Sequence, residues 1–231
     1  MPMRSPTRKL VPSEIRIPAA GVELVADLAL PEAAVGLVLF AHGSGSSRFS
    51  PRNRMVAEVL NRGAVGTVLA DLLTAEEEEI DRTSGEYRFD INMLVDRLTA
   101  ITDWIAGNED LGKLGLGYFG ASTGAAAALG AAANRPGSVR AVVSRGGRPD
   151  LAGAALGRVH APCLFIVGGA DSFVLRLNED AIRQLPSATQ HHLEIIPGAT
   201  HLFEEPGALD RVAQLARNWF QRYLPEPSGG K

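Results

Sequence analysis

Five consecutive residues, Gly120-Ala121-Ser122-Thr123-Gly124, carry the strongest chemical signal in this chain. They lie within residues 114–129, LGLGYFGASTGAAAAL, where an apolar β-like run passes into an alanine-rich helical stretch. A serine hydroxyl is a poor nucleophile, so an enzyme that uses one projects it from a sharp strand-to-helix turn into reach of a base. Such a turn holds the serine at positive φ, and glycine at 120 and 124 removes side chains that would crowd the adjoining strand and helix. The helix start also aims backbone N–H groups at the place where negative charge develops during acyl transfer. An ordinary glycine-rich turn is the competing reading in a chain with 25 glycines. Strand before and helix after favour the catalytic one, provided that a base and an acid follow downstream.

The elements that must position this turn alternate along the chain. Residues 14–18 and 22–30 read as an antiparallel pair turning at Ala19-Ala20-Gly21. Further strands are expected at 35–41, 65–70, 115–119, 139–144, 163–167 and 192–196. A helix starts at Ser50-Pro51, serine at the cap and proline in the first turn, and ends near Gly63. Another spans about 90–106, with Ile91, Leu94, Val95, Leu98, Ile101 and Ile105 on one face, and a last one about 208–223. Trp219, Phe220 and Tyr223 fall at helical spacing with Leu209, Val212 and Leu215, so they read as core. This alternation predicts an α/β fold: a mostly parallel central sheet with an antiparallel N-terminal strand pair, helices on both faces and no lid domain. At 231 residues the length suits one domain, taken as 13–224 between loose tails at 1–12 and 225–231. Residues 74–88 form the longest polar connection and the natural wall or flap; their Glu76-Glu77-Glu78-Glu79 run reads as a solvated helix face.

In open α/β sheets functional groups collect at the carboxyl ends of strands. Those ends here read His42-Gly43-Ser44-Gly45-Ser46-Ser47, then the elbow, then Gly168-Gly169-Ala170-Asp171, then Pro197-Gly198-Ala199-Thr200-His201. The set Ser122, Asp171, His201 in that chain order resembles the α/β-hydrolase superfamily, and within it the small lidless hydrolases similar to dienelactone hydrolase. The resemblance covers about residues 14–224. It implies that Ser122 is the nucleophile, His201 the general base and later acid, and Asp171 the carboxylate that orients His201. It also implies an oxyanion hole from the backbone N–H of Thr123 and one from the loop after Ala41, for which Ser44 is chosen. Dienelactone hydrolase itself carries cysteine at the elbow, so serine here leaves acyl transfer intact and the lactone substrate open.

Asp171 has rivals: it could be a helix cap, with Asp150 supplying the acid; the family's acid usually lies on the later strand end, which favours Asp171. His42 is read as a brace for the oxyanion loop, while His160, His191 and His192 have no partner pattern, and the spacings do not suit zinc. Arg145 and Arg148 are candidates for a substrate carboxylate or phosphate, against the stronger reading of surface or structural ion pairs. A dinucleotide site built on Gly43-Ser44-Gly45 and Asp71 fails, because Arg48 stands where the third glycine belongs and Asp71 lies too far on.

The function read from these residues is a serine hydrolase of small-molecule esters or lactones. Amide or thioester acyl transfer, and a non-catalytic binding protein on the same scaffold, are the alternatives. No metal or organic cofactor is implied. Net charge −3 speaks against a nucleic-acid partner, no apolar run approaches a membrane span, and a basic, proline-broken start suggests the cytoplasm. The single Cys163, within an apolar run, reads as a buried small hydrophobe. Oligomeric state is open.

Overall fold

The computed structural model describes residues 10–225. Eight strands make one sheet: β1 (Ser13–Ala19), β2 (Val22–Ala29), β3 (Leu37–Ala41), β4 (Gly66–Ala70), β5 (Leu116–Ala121), β6 (Val139–Arg145), β7 (Cys163–Gly168) and β8 (His191–Ile196). Their order is β1-β2-β4-β3-β5-β6-β7-β8. β2 pairs antiparallel with both β1 and β4, and every other pairing is parallel. The expected mostly parallel sheet with an antiparallel N-terminal pair is therefore the observed one. Of the expected tails, residues 1–9 and 226–231 lie outside the described residues.

Parallel strands covered on both faces cannot afford a polar side, and β3, β4, β5 and β7 are buried along their whole length. Alternate residues feed two cores. Leu37, Leu39, Tyr118 and Phe165 face α3 (Ile91–Gly107) and α4 (Thr123–Asn134). Val38, Phe40, Phe119 and Ile166 face α1 (Pro51–Arg62) and α6 (Ala208–Tyr223). Phe220 is fully buried in the second core, while Trp219 and Tyr223 pack on its rim with ring centroids 4.7 Å apart. Cys163 is free and buried, its thiol pushed up to about 12 by burial.

The polar connection contains α2 (Ala75–Ser84), started by a capping box between Thr74 and Glu77. Glu77 also pairs with Arg97, whose Nη1 lies 2.7 Å from Glu77 Oε2, so this glutamate belongs to a buried latch rather than to a solvated face. The latch fastens α2 onto α3. α5 (Ser172–Ile182) follows β7 and completes the α3 and α4 side. No helix among the described residues is long and apolar enough to cross a membrane.

Candidate active site

Ser122 lies between β5 and α4 at φ 51°, ψ −122°, a conformation that costs energy and persists only where its surroundings hold it. Three backbone bonds hold it: Ser122 N–H donates to Arg145 O (3.2 Å), and Arg148 N–H (3.0 Å) and Ala125 N–H (3.1 Å) donate to Ser122 O. The flanking glycines are required by space. A Cβ on Gly120 would come within 2.4 Å of Ala125 Cα, and one on Gly124 within 2.2 Å of Ala41 O. The Thr123 N–H, in the first turn of α4, has no helical carbonyl to bond.

Asp171 caps α5 and meets His201 with different oxygens. Oδ1 accepts from Val174 N–H at 3.3 Å, and Oδ2 lies 2.7 Å from His201 Nδ1. The cap reading and the partner reading of Asp171 thus hold together, and the cap fixes the carboxylate that the imidazole meets. The rival Asp150 is instead gripped by Arg148 through two bonds at 2.9 and 2.8 Å. Gly146 bridges the two halves of the site. It follows the residue that holds Ser122, and a Cβ on it would sit 3.6 Å from His201 Cε1.

His42 is buried, and Leu72 N–H donates to its Nε2 at 3.0 Å, which leaves the proton on Nδ1 to donate to Gly43 O at 3.0 Å. Burial holds its pKa below the usual histidine value. The ring pins the loop after β3 to the end of β4. The Ser44 N–H, however, donates to Thr123 Oγ1 at 2.9 Å, so the backbone donor chosen from sequence is already engaged. A cavity of about 300 Å³ opens beside the elbow, lined by Gly43, Ser44 and Thr123 and, as its second wall, by Glu78, Arg82 and Arg88; Ser122, Asp171 and His201 are not among its lining residues. The polar connection supplies that second wall. Asp81 anchors it by accepting from Tyr87 N–H, Arg88 N–H and Arg88 Nε.

The two arginines singled out from sequence do not line this cavity. Arg148 is occupied by Asp150. Arg145 is buried on the α1 face, its Nη2 3.3 Å from Asn53 Oδ1 and its Nε without a partner. Burial, with Arg52 nearby, lowers its pKa to about 10. Sequence reasoning missed the Arg97 latch and the Thr123 hydroxyl. A signal for the first existed: Arg97 shares the apolar stripe of Leu94, Leu98 and Ile101 and so needed a buried partner, and the Thr74-x-x-Glu77 pattern marked where α2 begins.

Residues 27–224 match the dienelactone hydrolase family. The chain belongs to that family. A crystal structure of dienelactone hydrolase from Anabaena variabilis ATCC 29413 is 56% identical, with a TM-score of 0.91 over 94% of this chain and 100% of that one. Est1E from Butyrivibrio proteoclasticus shares the fold at 17% identity, with a TM-score of 0.73 over 90% of this chain and 98% of that one. A Mycobacterium tuberculosis protein, provisionally named a phosphoribosyl transferase, is 55% identical over 218 residues. The match takes in 94% of this chain and 48% of that protein, so the chain spans about half the length of the curated relative. The eight-stranded sheet is the α/β-hydrolase fold of that family.

Proposed function

We propose that this chain, acting through residues 13–224 as one unit, is a serine hydrolase that cleaves small carboxylic esters or lactones through an acyl-enzyme. The observation that carries the reading is the 2.7 Å contact of Asp171 Oδ2 with His201 Nδ1, which leaves His201 Nε2 to act as base on the strained Ser122. In the first half-reaction Ser122 Oγ attacks the carbonyl carbon while Nε2 takes its proton. The tetrahedral intermediate collapses, the carbon–oxygen bond to the alcohol breaks, and His201 returns the proton to the leaving oxygen. Water, deprotonated by His201, then attacks the acyl carbon; Ser122 Oγ leaves, regains the proton, and the acid departs. Asp171 holds the imidazole in the needed tautomer and stabilises the imidazolium. The α4 N-terminus and the Thr123 N–H face the developing oxyanion. The cavity of about 300 Å³ adjoins the elbow at Thr123 and is read as room for one side of a compact substrate.

The match takes in 48% of the mycobacterial relative, and we read its transferase name as describing the half of that protein outside the match. The test is covalent labelling with a fluorophosphonate, mapped by peptide mass, beside hydrolysis of p-nitrophenyl acetate. Wild type should label stoichiometrically at Ser122 and hydrolyse the ester, and Ser122→Ala and His201→Ala should lose both. A folded wild type that neither labels nor turns over would favour a non-catalytic role.

A further inference from the structure

The loop after β3 has no free backbone donor at Ser44. Its N–H points at Thr123 Oγ1, 2.9 Å away, and this is the only hydrogen bond that the described residues give that oxygen. A hydroxyl that accepts one bond still has a proton to donate and can rotate to aim it. The Thr123 side chain is buried, and the residue lies on the cavity wall beside Gly43 and Ser44, directly after the proposed nucleophile.

The surrounding packing keeps this arrangement in place. A Cβ on Gly43 would sit 3.1 Å from both Ala121 O and Ser122 Cβ, so the loop lies against the elbow. A Cβ on Gly124 would sit 2.5 Å from His42 O, so α4 is in contact with the same loop from its other end. With His42 bonded to Leu72 N–H and Gly43 O, the loop cannot swing clear of Thr123 without breaking several buried contacts. The mobile part is the hydroxyl rotor.

We propose that the Thr123 hydroxyl is itself an oxyanion donor of this site, relaying the Ser44 N–H: Ser44 N–H to Thr123 Oγ1, and Thr123 O–H to the substrate oxygen. This rests on the serine-hydrolase reading. In the resting site the hydroxyl takes the loop's donor. As the carbonyl oxygen gains charge, the hydroxyl proton forms a charge-assisted bond to it, and the N–H behind polarises the same oxygen. Two donors, the Thr123 N–H and Thr123 O–H, then come from one residue, and the Ser44 amide serves as a positioning group.

The experiment compares Thr123→Val, nearly isosteric but without the hydroxyl, with Thr123→Ser, which keeps it. Readouts are kcat and KM for p-nitrophenyl acetate, affinity for a trifluoromethyl ketone whose adduct carries the oxyanion, and melting temperature. Thr123→Val should lose about 10²–10³ in kcat, the scale for one oxyanion donor, with KM within threefold. Its ketone affinity should fall in parallel, and Thr123→Ser should recover most of both. A Thr123→Val enzyme that is folded and within threefold of wild type in kcat, or faster, would overturn the relay and return the donor role to the freed Ser44 N–H. Loss of kcat in Thr123→Val that Thr123→Ser does not recover would overturn it too, by pointing to packing. Wild type that does not label at Ser122 would instead remove the hydrolase reading, and the relay with it.

Discussion

Gly168 ends β7 three residues before Asp171, and its α-carbon lies against the backbone that leads into His201. A Cβ there would meet Ala199 O at 2.3 Å and Thr200 O at 2.6 Å. Both obstacles are backbone carbonyls, and the segment is tethered by bonds from Gly169 N–H to Ile196 O (2.8 Å) and Ala170 N–H to Ala199 O (2.9 Å). No side chain can rotate away to relieve the overlap. Restoring an ordinary contact of 3.4 Å needs the two loops to part by about 1 Å. Asp171 rides on one loop and His201 on the other, so their 2.7 Å hydrogen bond stretches beyond useful length. Misplacement of about 1 Å costs on the order of 10²-fold in rate, and overpacking of this kind costs about 1–3 kcal/mol of stability. Gly168→Ala should therefore lose about 10² in kcat on p-nitrophenyl acetate and label about as much more slowly with fluorophosphonate. Its melting temperature should fall by roughly 2–12 °C. Gly137→Ala is the control, because a Cβ there meets nothing within 4 Å. A Gly168→Ala enzyme with kcat within threefold of wild type and an unshifted melting temperature would refute the coupling of these two loops.

Arg145 gives a prediction of opposite sign. Its shift from 12.5 to about 10 means that the folded state disfavours the cation by about 3 kcal/mol, a cost present in full below pH 10 and lost only as pH rises toward 12.5. Arg145→Met removes that cost at pH 7 and forfeits one long bond to Asn53, worth about 1 kcal/mol, so urea denaturation should show a gain of about 2 kcal/mol. A loss of stability would mean that the guanidinium has a stabilising partner. His42, buried and neutral, lowers stability as pH falls below 6.5, because the unfolded chain takes up the proton first. Thermal melts between pH 6.5 and 5.5 should fall more steeply for wild type than for His42→Gln, by up to about 1.4 kcal/mol per pH unit; parallel slopes would contradict the neutral assignment.

Short apolar runs, helical stripes and cap residues are local properties, and they placed the strands and the long helices within a few residues. The structure begins β3 at Leu37 rather than at 35, because Val35 N–H bonds Ala64 O before the ladder starts. The elbow was legible because its glycines, strand and helix adjoin in sequence, and Asp171 and His201 because strand ends in a parallel sheet face one way. Family order then singled out Asp171 over Asp150, a choice that local sequence left open.

What only the tertiary structure decided is how distant polar groups pair. That Asp171 caps α5 with one oxygen and meets His201 with the other depends on two loops 30 residues apart. The same holds for Arg97 finding Glu77, for Arg145 turning inward onto Asn53 away from the cavity, and for Thr123 Oγ1 capturing the Ser44 N–H across 79 residues. Hydrophobic periodicity records only which side of an element is buried. A hydrogen bond depends on tenths of an ångström and on competing partners, and those are set when the packed sheet brings its strand ends together.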